Sequence, residues 1–181
     1  DSRYCYAQSQ GGSVRRMDVV TGWSKSIRPA AEAGERLRFN WNSAIAQDPF
    51  DNNTIYFGSQ FVHKSSDRGD TWTKISPDLT TNDPEKLKQD QSGGITTDAT
   101  GAENHCTVIT IAPSSLKQGL IWAGTDDGMI QVTEDGGRSW KNTSRNIKDM
   151  PRNGWVAQLT ASMHDPGEAF AVVNDYRQGD N

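Results

Sequence analysis

The sequence predicts an all-β fold built from repeated units of four antiparallel strands. Three observations lead to this prediction: short β-rich segments recur along the chain, an eight-residue turn motif occurs twice, and helical patterns are scarce. Apolar residues make up only 33% of the 181 residues, whereas 17 glycines and 6 tryptophans are present. This composition favours short strands joined by turns over a helical bundle.

The strand-like segments are rich in Ile, Val, Tyr, Phe or Trp and are bounded by Gly, Pro, Asp and Asn. They cover residues 3–8, 12–20, 54–59, 108–113, 120–124, 129–133 and 168–173. The best helical candidate, residues 30–37, is short and interrupted by glycine. Since no long helix separates the strands, a parallel βαβ arrangement is disfavoured.

The turn motif reads hydroxyl-x-Asp-x-Gly-x-hydroxyl-Trp. We call its two copies box 1, residues 65–72, and box 2, residues 133–140. The constrained residues are Ser65, Asp67, Gly69, Thr71 and Trp72 in box 1, and Thr133, Asp135, Gly137, Ser139 and Trp140 in box 2. A decayed third copy is predicted from Asp18 to Trp23, which keeps the five-residue step from Asp to Trp but has Val20 at the glycine position.

The motif has a structural interpretation. An Asp in a turn accepts bonds from backbone N–H groups, and a Gly two residues later permits a positive φ. The Trp then begins an outer strand and packs between neighbouring units. We therefore expect Asp67 and Asp135 to stabilise turns and not to catalyse a reaction.

Each box follows three strands, the first of which ends in a proline-marked turn, and precedes a fourth strand. A repeated unit of four such strands is the sequence form of a β-propeller blade. The units are predicted at residues 1–29, 38–76, 105–143 and 155–181, with an insertion at 77–104. The first lacks its innermost strand and the last stops after about two, which gives about three and a half blades of ~45 residues.

A closed propeller generally needs about four blades or more. We therefore expect an incomplete ring whose exposed strand edges are covered by the remaining blades of a longer chain or by another chain.

Charge and hydropathy exclude two classes of partner. The net charge is −4 with no block of like charge, so the chain lacks the basic face that binding to nucleic acid requires. No apolar run approaches the ~18 residues that span a membrane. There is no leading Met and no basic-then-apolar leader, so we expect a signal peptide to be absent or removed.

Cofactor and metal sites are not expected. The three histidines, His63, His105 and His164, fall in different units without ligand spacing, and no glycine-rich phosphate loop occurs. Cys5 and Cys106 lie in strand-like segments and are predicted to be buried thiols.

The boxes resemble Asp boxes, also called bacterial neuraminidase repeats. With the segments 37–43, 75–83 and 121–128, they make the chain similar to the sortilin-type Asp-box propellers that bacteria secrete and that are often labelled glycosyl hydrolases. The resemblance covers nearly the whole chain. It implies an extracellular or periplasmic protein and a chain that is part of a longer one.

Candidate ligand-binding residues follow the second strand of each unit, where propellers present loops around a central channel. These positions are Gln10, Gln60, Asp126 and Asn174, although Asn, Asp and Gln are also common in turns for structural reasons. Trp41 between Asn40 and Asn42, preceded by Arg38, offers an aromatic face with nearby amides. The alternative for Trp41 is a place between blades.

Asp126 is also the candidate catalytic residue, by resemblance. In the xyloglucan-cleaving hydrolases to which the chain is distantly similar, an Asp in an Arg-Thr-Asp sequence is catalytic, whereas here the sequence is Gly124-Thr125-Asp126. Glycoside hydrolysis usually needs a second carboxylate. Asp127 would normally point elsewhere, and Asp98 and Glu103 lie in the insertion.

Three functions remain open. The first is a secreted module that binds a peptide, protein or glycan at the channel face. The second is a glycoside hydrolase acting on a polysaccharide. The third is a structural subunit that pairs through exposed blade edges.

Overall fold

The computed structural model describes residues 2–88 and 104–175. Thirteen strands in this part of the chain form four antiparallel sheets, joined by turns and by short 3-10 segments at Gln10–Gly12 and Ser144–Asn146. Residues 30–37, the best helical candidate, form turns and irregular backbone. The all-β prediction is confirmed.

The sheets are the blades of a β-propeller, each ordered as in the chain. Blade 1 contains β1 (Tyr4–Ser9), β2 (Ser13–Asp18) and β3 (Ser24–Ser26). Blade 2 contains β4 (Ile45–Gln47), β5 (Ile55–Gly58), β6 (Val62–Ser65) and β7 (Thr73–Lys74). Blade 3 contains β8 (Val108–Pro113), β9 (Ile121–Thr125), β10 (Ile130–Thr133) and β11 (Lys141–Asn142), and blade 4 contains β12 (Trp155–Ala161) and β13 (Ala169–Asn174).

The described blades form an incomplete ring, since two four-stranded sheets are flanked by one of three strands and one of two. The unit boundaries chosen from the sequence stay a prediction.

The hydrophobic core lies between the blades. Three clusters of buried side chains join blade 1 to blade 2, blade 2 to blade 3, and blade 3 to blade 4. Their largest members include Phe39, Ile55 and Phe57 in the first, Tyr56, Leu79 and Ile121 in the second, and Ile130, Val156 and Leu159 in the third. Each blade is therefore stabilised by removing apolar surface from water against its neighbours.

The two boxes fold into nearly identical turns. In box 1, the Asp67 carboxylate accepts bonds from the Thr71 backbone N–H at 2.8 Å, the Thr71 hydroxyl at 2.6 Å and the Ser65 hydroxyl at 2.7 Å. In box 2, Asp135 accepts the equivalent bonds from Ser139 at 2.9 and 2.6 Å and from Thr133 at 2.8 Å. These bonds, led by the Thr71 hydroxyl, lower the pKa of Asp67 to about 2, and those led by Ser139 lower the pKa of Asp135 well below its usual range.

The box tryptophans connect successive blades. The Trp72 indole N–H donates to the Ile27 carbonyl of blade 1 at 2.7 Å, and the Trp140 indole N–H donates to the Ile75 carbonyl of blade 2 at 2.8 Å. We call this pairing of indole and carbonyl the joint. Each joint also brings an indole into the apolar cluster between the two blades.

The predicted decayed box at Asp18 is wrong. Val14 is the second residue of β2 and Val62 is the first residue of β6, and their carbonyls accept the Ile27 and Ile75 backbone N–H groups. Ser24 lies three residues before Ile27, as Trp72 lies three residues before Ile75, so Ser24 occupies the position of Trp72. Trp23 falls one residue earlier and is 59% exposed. The Asp18 carboxylate accepts bonds from the backbone N–H groups of residues 20 and 21, so a different turn places this indole outside the joint.

We predict that Asp67→Ala lowers the free energy of unfolding by about 1 kcal/mol, because the turn loses hydrogen bonds to its carboxylate. Asp135→Ala acts in the same direction. The exposed Glu168 provides the control substitution, Glu168→Ala. Chemical denaturation measures the change, and unfolding midpoints equal to that of the control would contradict the assignment of the boxes as stabilising turns.

Candidate functional site

One end of the ring collects the predicted ligand-binding residues. The turns that join β1 to β2, β5 to β6 and β9 to β10 lie there, together with the loops that lead into β4 and β8. We call this end the mouth. Boxes 1 and 2 lie at the opposite end of the strands, because each connects a third strand to a fourth.

Asp126 is buried at the mouth, with 1% of its surface exposed. Its carboxylate accepts bonds from the Thr107 backbone N–H at 2.9 Å and the Thr107 hydroxyl at 2.7 Å. The Asn40 amide donates a third bond at 3.0 Å. Asp126 therefore fastens the loop before β4 and the loop before β8 to the turn that follows β9.

Asp127 is fully buried and points to a different loop. Its carboxylate accepts bonds from the Thr81 backbone N–H at 2.7 Å and the Thr81 hydroxyl at 2.6 Å. The Thr125 hydroxyl bonds its other oxygen. The two adjacent carboxylates thus hold three separate segments of the mouth in place.

Gln60 acts in the same way on blade 2. Its side-chain oxygen accepts the Arg38 backbone N–H at 2.9 Å, and its amide N–H donates to the Arg36 carbonyl at 2.9 Å. The Arg38 guanidinium bonds the Asp78 carboxylate at 2.7 Å and the Cys106 carbonyl at 3.1 Å. The buried Gln60 and Asn40 and the half-buried Arg38 are thus occupied by contacts within the protein.

The remaining candidates face solvent. Gln10 and Asn42 are exposed, and Trp41 is 40% exposed. Asn174 is also exposed but is the last residue of β13, where it pairs with Trp155. Asn174 therefore ends a strand, whereas the sequence predicted that it follows one.

Two residues that the sequence did not single out contact the segment that carries Phe39 and Trp41. The Gln8 side-chain amide donates to the Trp41 carbonyl at 3.4 Å. The exposed Arg28 places its guanidinium 4.6 Å from the centre of the Phe39 ring and donates to the Gly11 carbonyl at 3.3 Å. We call Gln8, Gln10, Arg28, Trp41 and Asn42 the mouth surface.

Burial and the neighbouring Asp127 raise the pKa of Asp126 to about 7, although the bonds from Thr107 and Asn40 favour its charged form. A carboxyl group with this pKa can donate or accept a proton near neutral pH. Both carboxylate oxygens of Asp126 nevertheless already accept hydrogen bonds from Thr107 and Asn40. Asp98 and Glu103, candidates for a second carboxylate, lie outside the described residues.

The structure separates the two cysteines. Cys106 is buried, and this burial raises the pKa of its thiol to about 12. Cys5 is exposed, so its predicted burial is wrong: its side chain projects from the outward face of β1, a strand whose burial alternates. His63 is buried against Phe61 with its ring 2.8 Å from the Ser59 hydroxyl, and this burial lowers its pKa to about 4.

Within residues 2–88 and 104–175, no group of three metal-ligating side chains lies together. The same residues contain no helix with the length and apolar character needed to cross a membrane.

We predict that Asp126 makes stability fall as pH rises. Its pKa is raised on folding from an ordinary value of 3.8 to about 7, so its contribution is complete below about pH 4 and is lost as pH rises through 7. The free energy of unfolding of the wild type minus that of Asp126→Asn should therefore decrease over this range. The lowered pKa of His63 makes its contribution to stability change with pH in the opposite direction, but this contribution is present in both proteins and cancels in the difference. A difference in free energy of unfolding that does not change with pH would contradict the prediction.

We predict that a thiol reagent labels one cysteine of the folded protein. Cys5 should react at the rate of an exposed thiol, whereas Cys106 should react only after unfolding, because the thiolate is the reactive form. Mass spectrometry of the labelled peptides identifies the site. Cys5→Ser should abolish labelling under native conditions, and labelling of Cys106 at a similar rate would contradict its burial.

No family model and no curated protein matches the chain. Solved structures do resemble it. A structure of YCF48 bound to a D1 peptide has a TM-score of 0.52 and 18% identity, with 95% of this chain and 45% of that chain covered. A GH74 xyloglucanase from Xanthomonas campestris has a TM-score of 0.56 and 17% identity, with 96% and 25% covered.

The extracellular domain of BT4673, a putative one-component system of B. thetaiotaomicron, has a TM-score of 0.53 and 14% identity, with 94% and 19% covered. At these identities the likeness shows the propeller fold alone. The chain spans less than half the length of each of these three structures.

Proposed function

We propose that the chain is a propeller module that binds a peptide or protein segment on the mouth surface, as part of a larger assembly outside the bacterial cytoplasm. The observation that carries the proposal is the rigid support beneath an exposed indole. Asn40, next to Trp41, is buried and bonded to Asp126 at 3.0 Å, and the Gln8 amide adds a longer contact of 3.4 Å to the Trp41 carbonyl. A ligand therefore meets a surface whose backbone is ordered before binding, which lowers the entropic cost of association.

The chemistry of the surface favours a peptide that carries a carboxylate. Trp and Arg are the residues that most often dominate binding energy at protein interfaces. Trp41 supplies a flat apolar face, and Arg28 supplies an exposed cation held over Phe39. Carboxylates form strong charge-assisted hydrogen bonds with guanidinium groups. Gln10 and Asn42 add amide groups that can bond a peptide backbone.

Comparison with known structures is compatible with this proposal. One propeller of similar fold was solved with a bound peptide, and another is an extracellular domain. These likenesses support a binding role and an extracellular location only through the shared fold.

A glycoside hydrolase is the second candidate, and the pKa of Asp126 near 7 favours it, because a general acid needs such a value. For this function the mouth loops must open and release the Asn40 and Thr107 bonds. Release of reducing ends from xyloglucan that disappears in Asp126→Asn, while the folded structure is kept, would favour this candidate over the binding module.

We predict that Trp41→Ala weakens peptide binding about tenfold or more, because a central aromatic contact is lost. A fluorescent library of acidic and neutral peptides first identifies a ligand, and a glycan array runs in parallel. Trp23→Ala is the matched control, since Trp23 is also exposed but lies at the opposite end of blade 1. Equal loss in both variants, or binding on the glycan array alone, would contradict the proposal.

A further inference from the structure

The turns that join the first and second strands of blades 2, 3 and 4 share one hydrogen-bond pattern. They cover residues 48–54, 114–120 and 162–168, and we call them the axial turns. In each, the backbone N–H of the first residue donates to the carbonyl of the seventh, at 2.9, 2.9 and 3.0 Å. A side-chain oxygen of the first residue, which is Asp48, Ser114 or Ser162, accepts the N–H of the third residue. The three turns are therefore held in the same way.

The axial turns lie around the axis of the propeller, at one end of it. β4 contacts β8 and β8 contacts β12, so the first strands of these three blades are neighbours at the centre of the ring. Each axial turn follows one of these strands at the end that also carries boxes 1 and 2, opposite the mouth. We call this end the base.

Each axial turn exposes one large apolar side chain. Phe50 and Leu116, the third residues of their turns, are 49% and 44% exposed, and Met163, the second residue of its turn, is 72% exposed. Blades 2 and 3 each pack against a described blade on both sides, so the exposure of Phe50 and Leu116 is a property of the base itself. Single exposed apolar residues are common on protein surfaces, but these recur at one place on three consecutive blades.

The base is acidic around these side chains. The axial turns carry one basic residue, Lys117, and four acidic residues, Asp48, Asp51, Asp165 and Glu168. The Lys117 ammonium group is already bonded to the Glu134 carboxylate at 2.7 Å. Boxes 1 and 2 each add two acidic residues against one arginine. Such a surface attracts a cationic partner and repels anionic lipid headgroups.

The axial turns offer side chains to a partner more than backbone groups. In the first of them, the N–H groups of residues 48, 50, 51, 53 and 54 are all bonded within the turn. A partner strand that needs a row of backbone donors does not find one in this turn. A helix needs none, because its own N–H and carbonyl groups are bonded to each other.

We propose that the base binds a cationic amphipathic helix of a partner protein. The apolar stripe of this helix covers Phe50, Leu116 and Met163, and lysine or arginine side chains beside the stripe pair with the acidic residues of the base. Apolar residues at three- and four-residue spacing, flanked by basic residues, form this pattern on a helix. The inference does not depend on the mouth surface, which lies at the opposite end of the ring.

The test uses the full chain and a labelled peptide of about 18 leucine and lysine residues, ordered so that the leucines form one stripe of a helix. One control peptide contains the same residues in an order without a stripe, and a second contains glutamate in place of lysine. Fluorescence anisotropy should show binding of the leucine–lysine helix that is about tenfold tighter or more than binding of either control.

The double substitution Phe50→Ser and Leu116→Ser should weaken binding of the leucine–lysine helix about tenfold or more, because two apolar contacts are lost. Both side chains are exposed, so the fold does not depend on them. Ile147→Ser is the matched control, since Ile147 is 43% exposed but lies in the loop that leads into β12, at the mouth end. This variant should bind as the wild type does.

Equal binding of the three peptides, no binding of any of them at millimolar concentration, or an unchanged affinity in the double variant would overturn the proposal. Two further measurements test other occupants. Binding to phosphatidylserine vesicles that the double variant loses would identify a membrane as the occupant. Self-association in light scattering that the double variant loses would identify a second copy of the chain, and either result would likewise overturn the proposal.

Discussion

The indole-to-carbonyl joint is the interaction on which the arrangement of blades 1 to 3 depends. A blade in this protein is a narrow sheet, and its outermost strand has as few as two paired residues. Such a sheet gains little stability alone and needs apolar cover from its neighbours. The joint provides this apolar cover together with one directed hydrogen bond. It therefore determines both the position of one blade on the next and the strength of the contact between them.

The box prepares the tryptophan for this role. The box glycine lies against the preceding blade: a Cβ on Gly69 would lie 2.6 Å from an Ile27 side-chain atom, and one on Gly137 would lie 2.5 Å from the Ile75 carbonyl oxygen. Both glycines also have positive φ, at +91° and +99°. The box carboxylate then closes the turn and directs the indole toward the preceding blade. Turn geometry and contact between blades are thus produced by the same eight residues.

Aspartate carboxylates have two different roles in this protein, one in the boxes and one at the mouth. In the boxes the carboxylate lies near solvent, receives several donors and remains charged. Asp126 and Asp127 are buried between blades, where their carboxylates also accept hydrogen bonds. These bonds hold together loops that come from distant parts of the chain. The outer residues of these loops, Trp41 above all, are consequently presented on a fixed backbone. The proposed binding function uses this second role and does not require proton transfer.

The features predictable from the sequence are those determined locally. Strand periodicity and the eight-residue box follow from neighbouring residues, so the four-stranded blade could be predicted. The direction of Gln60 and Asp126 could not, because their partners Arg36 and Thr107 lie in other loops and are brought close only by packing of the blades. The position of Trp23 was predicted wrongly for a related reason. Its five-residue spacing from Asp18 does not determine the register between β2 and β3, in which Met17 pairs with Ser24.

Native-state hydrogen exchange of Trp140→Phe tests the central claim most directly, because this change keeps an aromatic ring and removes the indole N–H. If the joint couples the blades, the slowest amides of β6 and β10 exchange in a single cooperative unit in the wild type, and in two units of unequal stability in the variant. Retention of one common unit with unchanged protection would contradict the account.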